Sequence, residues 1–439
     1  MNYREVKHEK WQKKPIALGV LLLLAGSAAA LLSMQPEIAP ISPLQTPSFS
    51  AQSIARGKTL AALGDCAVCH TRNGGATNSG GLAMESPFGT IYTSNITPDM
   101  DSGIGAWSYP AFERAMRHGI DRQGNYLYPA FPYTAFTHTN DQDLRDLYAY
   151  LMSQPRVSYQ PPQTSLRFPF NIRQGMAAWN WLYLQPGALP PNPQQDAQWN
   201  RGAYLAESLG HCSACHSPRN FAAAEKTGRD RLAGGVAEGW TAPALNGSSP
   251  APVAWDKPQL MRYLRHGFSA EHGVATGPMG PVIAGGLSQL PDEDLQALAS
   301  WLSSFQPPKT QQAAALTAAA DQRSERLDSP GARQYSGSCM ACHSQQKGPQ
   351  LAGVRPSLAL NSNLYLGEPD NLIRIVLDGI DHPASDNLGT MPGFRHQLND
   401  SQIAMLLNWL RTEFAGQTPW QGLQDKVAEI RKQSARESQ

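Results

Sequence analysis

Three stretches of the chain repeat one pattern of apolar and polar positions. Phe112-Glu113-Arg114-Ala115-Met116-Arg117-His118-Gly119, Leu260-Met261-Arg262-Tyr263-Leu264-Arg265-His266-Gly267 and Leu372-Ile373-Arg374-Ile375-Val376-Leu377-Asp378-Gly379 space their apolar residues at helical intervals and end on glycine, a natural helix stop. A closing helix is predicted downstream of each, over Asp141 to Leu151, Asp292 to Leu302 and Asp400 to Leu410. Each opens on acidic residues, which suit a helix N-terminus, and ends near an aromatic: Tyr148 and Tyr150, Trp301, Trp409. Upstream, shorter helical stretches carry Arg56-Gly57 and Arg201-Gly202, with a looser third copy from Gly331 to Tyr335. The same order of elements is therefore predicted three times, in an all-α chain.

The segments between these units differ in composition. Residues 154–198 are rich in proline yet hold Phe168, Phe170, Trp179, Trp181, Tyr183 and Leu184, so they are expected to pack against a neighbouring domain or a partner. Residues 306–328 are rich in Ala and Gln and partly helical in pattern, and 416–439 form a polar, amphipathic tail that fits a surface helix or a partner contact. The units themselves are placed at 50–153, 199–305 and 329–415.

At the other end, Arg4, Lys7, Lys10, Lys13 and Lys14 precede a run from Pro15 to Met34 without a charge. About 20 apolar residues can span a bilayer as a helix, with the basic flank kept inside. Residues 1–34 therefore read as a signal or anchor segment. An uncleaved anchor is favoured; a cleaved signal peptide, with Ala28-Ala29-Ala30 as its small-residue site, is the alternative. Either reading exports the rest of the chain.

Composition changes the picture at one point. At 439 residues, about one domain per 150 residues gives about three domains. A net charge of +1 without a basic stripe makes nucleic acid an unsuitable partner. The cysteines are decisive. All six fall into three copies of one motif: Cys66-Ala-Val-Cys69-His70, Cys212-Ser-Ala-Cys215-His216 and Cys339-Met-Ala-Cys342-His343. Cys-x-x-Cys-His is the pattern of covalent c-type haem attachment, in which both thiols bond the porphyrin and His70, His216 or His343 reaches the iron. Zinc would require four ligands per site, and a disulfide framework would not explain the recurring histidine. Three covalently bound haems c are therefore expected.

The repeat also points to the opposite iron ligands. Met279 in Gly277-Pro278-Met279-Gly280 and Met391 in Gly389-Thr390-Met391-Pro392-Gly393 stand on Pro/Gly loops between the middle and closing helices, where a thioether would complete a His/Met iron. In the first unit the corresponding loop, Tyr128-Pro129-Ala130-Phe131-Pro132-Tyr133, has phenylalanine. Met84 is taken as the tentative substitute ahead of Met100, Met116, Met152 and His138. Asp99, Asp101, Asp121 and Glu113 read as a solvated face, and His272 and His382 as loop residues of surface or supporting role.

With helix, motif, helix, loop and closing helix in this order, each unit is similar to the small cytochrome c fold. Further stretches sharpen the likeness: Pro87-Phe88-Gly89-Thr90-Ile91-Tyr92 leading to Asn95-Ile96-Thr97-Pro98-Asp99, Trp199-Asn200-Arg201-Gly202-Ala203-Tyr204-Leu205, and Ala242-Pro243-Ala244-Leu245-Asn246. The chain resembles the multihaem cytochrome c subunit of membrane-bound bacterial dehydrogenases over most of its length after residue 50. The resemblance implies three tandem cytochrome c domains on the periplasmic side of the inner membrane. Such a subunit is no enzyme by itself; it passes electrons from a catalytic dehydrogenase subunit to a quinone or a terminal oxidase. Phe131 departs from the alcohol branch and favours a molybdenum hydroxylase partner acting on aldehydes, purines or nicotinate-like rings. The alternatives are a subunit of an alcohol, gluconate or sorbitol dehydrogenase, a stand-alone carrier, and a haem peroxidase.

Overall fold

The computed structural model describes residues 34–42, 48–306, 312–326, 328–343, 357–381, 383–385 and 389–437. The expected N-terminal segment, save Met34, and His382 lie outside them. Among the described residues no helix is long and apolar enough to cross a membrane.

In the first unit, α1 (Ala51–Leu63) leads to the first motif, α2 (Tyr109–His118) follows, and α3 (Asp141–Met152) packs back across α1. Ser50 and Asn140 cap α1 and α3 by accepting backbone N–H groups of Ser53 and Asp143. The chain then passes through α4 (Gly175–Tyr183) to a second unit of α5 (Ala197–Glu207), α6 (Lys257–His266), α7 (Met279–Gly285) and α8 (Asp292–Ser303). A third unit has α9 (Ala313–Ser324), α10 (Pro330–Ser338), α11 (Asp370–Asp378), α12 (Asp400–Ala415) and α13 (Leu423–Glu437). Gly119 and Gly267 end α2 and α6 in the left-handed conformation, as the sequence pattern predicts.

One contact recurs in all three units. A Cβ built on Gly57 would lie 1.9 Å from the carbonyl oxygen of Asp146 and 2.7 Å from Tyr150 Cβ. On Gly202 it would lie 2.0 Å from Ala297 O and 2.8 Å from Trp301 Cβ, and on Gly331 2.5 Å from Trp409 Cβ and 3.0 Å from Met405 O. The helix before each motif (α1, α5, α10) thus crosses the closing helix of its unit (α3, α8, α12) backbone against backbone, at a glycine facing the aromatic one turn further on. This register makes Tyr150, not Tyr148, the partner of Trp301 and Trp409. Two crossings are pinned by ion pairs, Arg56 Nε to Asp146 at 2.6 Å and Arg201 Nε to Asp294 at 2.8 Å. Burial works against ionisation of Asp146, but its bonds from Arg56, Ser53 and Gln142 outweigh that and hold its carboxyl below the usual range.

The helical expectation holds with an addition. Short hairpins follow the first two motifs: β1 (Ala83–Ser86) pairs with β2 (Gly89–Tyr92), and β3 (Ser165–Leu166) from the inter-unit segment adds to β2. In the second unit β4 (Gly235–Ala237) pairs with β5 (Trp240–Ala242). Strands of two to four residues, turned at Gly89 and Gly239 with positive φ, are too short to show a period in sequence.

The cores divide unequally. Buried residues of the first two units, from Leu60 and Leu144 to Leu205, Ile283 and Trp301, form one continuous cluster, whereas the third unit has its own around Tyr335, Ile373, Leu407 and Trp409. Both flanking segments of the third unit join that core. Ala320 of α9 is fully buried and Arg323 bonds the Glu413 and Phe414 carbonyls, and Leu423, Val427 and Ile430 of the tail are buried against it. The tail is thus a packed helix, tied by Arg431 to Asp400 at 2.6 Å.

Because the crossings leave no room for a methyl group, Gly57→Ala and Gly202→Ala are expected each to cost about 1–3 kcal/mol by overpacking. Gly337→Ala, in open space on α10, should change stability by less than about 1 kcal/mol. Thermal melts of the three variants check this; equal effects would contradict the crossing.

Candidate functional site

Each of the three motifs is a single closed helical turn. The backbone N–H of His70 donates to Cys66 O at 2.8 Å, that of His216 to Cys212 O at 3.0 Å, and that of His343 to Cys339 O at 2.9 Å. The turn carries both cysteines and the histidine on one short rigid element. No two of the six cysteines form a disulfide. Among the described residues no group of three or more His, Cys, Asp or Glu side chains could hold a metal ion.

The histidines of the first two motifs are held alike. His70 Nδ1 donates to Ser94 O at 2.6 Å and His216 Nδ1 to Pro243 O at 2.7 Å. A carbonyl has no proton to give, so Nδ1 is the protonated nitrogen and Nε2 keeps its lone pair. Burial pushes both imidazoles below their ordinary pKa, only partly offset by those carbonyls, so they are neutral at physiological pH. The acceptors stand where the hairpins return. Gly80 and Gly234, both at positive φ, bond back to the histidine carbonyls at 2.6 and 2.8 Å, a turn that favours glycine. Neither acceptor was singled out by sequence, although Ser94 adjoins and Pro243 lies within the stretches that carry the resemblance. The segment after His343 lies outside the described residues.

Burial pushes Cys66 and Cys212 up to about 12 and Cys215 and Cys339 up to about 11. Thiols held protonated in this way are not poised for dithiol exchange, which needs the thiolate. Covalent attachment of a planar group beside a neutral imidazole fits this donor set.

On the other side, the structure separates the expected methionines. The ladder pairs Ile120–Tyr126 and Phe268–Val274 put the first two units in register, and five residues beyond each (126 to 131, 274 to 279) stand Phe131 and Met279. Phe131 therefore occupies the position of Met279. It packs on Phe136 and Tyr133, with ring centroids 5.3 and 6.3 Å apart. Met279 opens α7, half-buried against the shared core. Met391 is held differently: its own N–H and carbonyl pair with Ile380 at 3.1 and 2.8 Å, while its side chain packs on the third unit's core. Met84 lies in β1 opposite Ile91, on the hairpin that supplies the His70 acceptor. The expectation that Met84 replaces Phe131 gains nothing from this placement. Met116 and Met152 are buried in the core, and His138 Nδ1 bonds Gly187 O at 2.7 Å.

The remaining polar residues are structural. Asp99 Oδ1 accepts from Ser102 N and Oγ, Asp121 from Asn125 N, and Glu113 pairs with Arg117. Of the surface and supporting roles expected for His272, burial excludes the first: it is stacked on Trp255 at 3.6 Å, with Nε2 2.9 Å from Gln259 Oε1.

The first two motifs face each other. A Cβ on Gly285 would stand 3.3 Å from Val68, between the cysteines of the first motif, and one on Gly286 would stand 2.7 Å from Ala62 O and Asp65 Oδ1. Reciprocally, Phe136 meets His211, which precedes Cys212, edge-on at 5.5 Å. Cys69 is pushed up to about 12 by burial first, then by Asp65, Glu238 and Cys215. The third unit docks on the second unit's hairpin: Thr241 N and O bond Asn371 at 2.8 and 2.9 Å, and Arg374 Nε donates to Gly239 O at 3.1 Å.

Comparison with known proteins agrees with this organisation. The cytochrome c family matches residues 54–155, and the family of cbb3-type cytochrome c oxidase subunit III matches residues 327–410. The chain is 52% identical to a nicotinate dehydrogenase subunit of Pseudomonas putida over 97% of its own length, and spans 36% of that relative. It is 36% identical to the gluconate 2-dehydrogenase cytochrome c subunit of Pantoea cypripedii, over 86% of this chain and 89% of the relative. With the alcohol dehydrogenase (quinone) cytochrome c subunit of Gluconacetobacter polyoxogenes it shares 34% identity, over 90% of this chain and 85% of the relative.

Asp65 yields a prediction. Its Oδ1 is buried without a hydrogen-bond donor among the described residues, and burial raises its pKa well above the ordinary carboxylate value. The unfolded chain therefore loses this proton first. The Asp65 contribution to stability is full below the ordinary carboxylate range and declines as pH rises from there toward the raised value. Asp65→Asn should abolish that decline in thermal melts across a pH series; an unaltered slope would contradict the burial.

Proposed function

The chain belongs to the cytochrome c subunits of bacterial dehydrogenase complexes, and from that premise we propose that it is a three-haem relay accepting electrons from a catalytic dehydrogenase subunit. Haem c, when bound, supplies a one-electron iron couple; the chain's own residues attach, orient and tune it. Cys66 and Cys69, Cys212 and Cys215, and Cys339 and Cys342 would bond the three porphyrins. His70, His216 and His343 would be the proximal ligands, with Met279 and Met391 opposite the second and third irons. The observation that carries the reading is the fastening of His70 and His216 through Nδ1 to backbone carbonyls. It fixes the ring's orientation and leaves Nε2 for the metal, as an outer hydrogen bond does at other metal-bound histidines.

The order of the relay follows from packing. The second unit shares a core with the first and carries the hairpin on which the third docks. The second haem would then stand between the other two. For the substrate, the higher identity to the nicotinate dehydrogenase relative supports a catalytic partner that oxidises a nitrogen heteroaromatic acid, of the molybdenum hydroxylase class. The apolar run Pro15–Met34, behind a basic flank, supports placement on the periplasmic side of the inner membrane, with a quinone or an oxidase as acceptor. Adding a pyridine carboxylate to the co-purified complex should reduce the haem irons, seen as a rise of the reduced c-type absorption band. Reduction by gluconate or an alcohol instead would move the chain to another branch of the family.

Phe131 gives the sharper test of ligation. Thioether ligation raises an iron potential, so Phe131→Met should raise one of three midpoints in a redox titration and leave the other two. Met84→Leu should leave all three unchanged. A midpoint that falls on replacing Met84 would instead identify Met84 as a ligand.

A further inference from the structure

The segment between the first two units carries an apolar surface that the fold leaves uncovered. It runs over the first unit like a strap. Arg167 N–H donates to Phe88 O at 2.9 Å, Phe170 and Phe88 have ring centroids 4.5 Å apart, and Arg173 Nη1 donates to Tyr126 O at 3.0 Å. Asn180 then bonds His118 O and the Tyr133 hydroxyl, and the Trp179 indole donates to Ala222 O at 2.9 Å. With its polar contacts turned inward, the strap presents the opposite side to solvent. Phe168 is 79% exposed, Trp181 83% and Leu182 60%, and Phe221, beside Ala222, is 97% exposed.

The strap lacks the chemistry of a solvated surface. α4 reads Gly-Met-Ala-Ala-Trp-Asn-Trp-Leu-Tyr, without a charge, although one side of it is open. A surface helix ordinarily puts charged or polar residues there. From Asp146 to Asp196 the sequence has no carboxylate between them, only Arg156, Arg167 and Arg173. Exposed aromatic and apolar side chains without acidic residues are the composition of a membrane interface, where the rings sit at headgroup level.

The course of the N-terminal segment selects the occupant. The uncharged run Pro15–Met34 ends where the described chain begins, and Met34 is 70% exposed. Immediately after it, Gln35 Nε2 donates to the Tyr126 hydroxyl at 3.2 Å and Ile38 N–H to Arg122 O at 2.9 Å. Tyr126 is also the residue whose carbonyl binds Arg173 of the strap. The residues that follow the apolar run and the aromatic strap therefore meet at one loop of the first unit. We propose that the strap is a lipid-docking surface: Phe168, Trp181 and Leu182 seat in the interfacial layer of the bilayer that residues 15–34 enter. Docking there holds the first unit against the membrane instead of letting it swing on a tether. The inference rests on the reading of this chain as an exported, membrane-anchored subunit.

The test uses the full, haem-loaded chain with vesicles of phosphatidylethanolamine and phosphatidylglycerol. Flotation reads the anchor, and hydroxyl-radical footprinting by mass spectrometry reads the strap. We expect flotation together with a severalfold fall in oxidation of Trp181 and Phe168, while Met405, exposed on α12, is oxidised as before. A triple variant, Phe168→Ser, Trp181→Ser and Leu182→Ser, should keep its haem spectrum and still float, but lose the linear dichroism of its haem band in oriented multilayers. Flotation with Trp181 oxidised as fast as in solution would overturn the docking and leave the anchor standing. Absence of flotation would overturn the anchor and the docking with it. Protection of Trp181 by the catalytic subunit and not by vesicles would assign the strap to a protein partner and overturn the proposal.

Discussion

The contact on which each unit depends is the crossing of two helices at a glycine. Gly57, Gly202 and Gly331 stand eight to ten residues before the first cysteine of their motifs (57 to 66, 202 to 212, 331 to 339) and against the backbone or Cβ atoms of the closing helix. Any larger residue would push the helices apart, and the motif turn, which begins where the first helix ends, would move with them. The side chains around the crossing then vary freely. Arg56 pairs with Asp146 and Arg201 with Asp294, while the third unit stacks Tyr335 between Trp409 and Phe414, with ring centroids 4.9 and 5.4 Å away.

A common frame does not make the three sites equivalent. The first two units bury one core between them and bring their motifs face to face through Val68, Gly285, Phe136 and His211. Asp65 sits in this contact, its Oδ1 buried without a hydrogen-bond donor among the described residues and its carboxyl held above its ordinary pKa by burial. The third unit, with a separate core and a different loop around Met391, is joined through backbone bonds to Asn371 and Arg374. Different ligands, burial and hydrogen bonding are the means by which a protein separates the potentials of otherwise identical haems.

Much of this was legible in the residues. The helices ending at Gly119 and Gly267, the motif turns and the equivalence of Phe131 with Met279 were all visible in the repeat, because helical spacing and glycine stops are local signals. What could not be read was non-local. The acceptors Ser94 and Pro243 sit on hairpins too short to show alternation, and their role depends on the chain returning to the histidine 24 and 27 residues later. His272 lies in a polar turn, and its burial depends on Trp255, distant in sequence, stacking on it. The polar tail hid a buried stripe of Leu423, Val427 and Ile430, which becomes core only because α11 and α12 are there to cover it.

The account stands on three porphyrins, one per motif turn. The mass of the intact exported chain measures this most directly. The account predicts a mass greater than the polypeptide by three haems, falling by one when the cysteines of any single motif are replaced by alanine. A mass matching the bare polypeptide, or one unaltered by removing a motif, would contradict it.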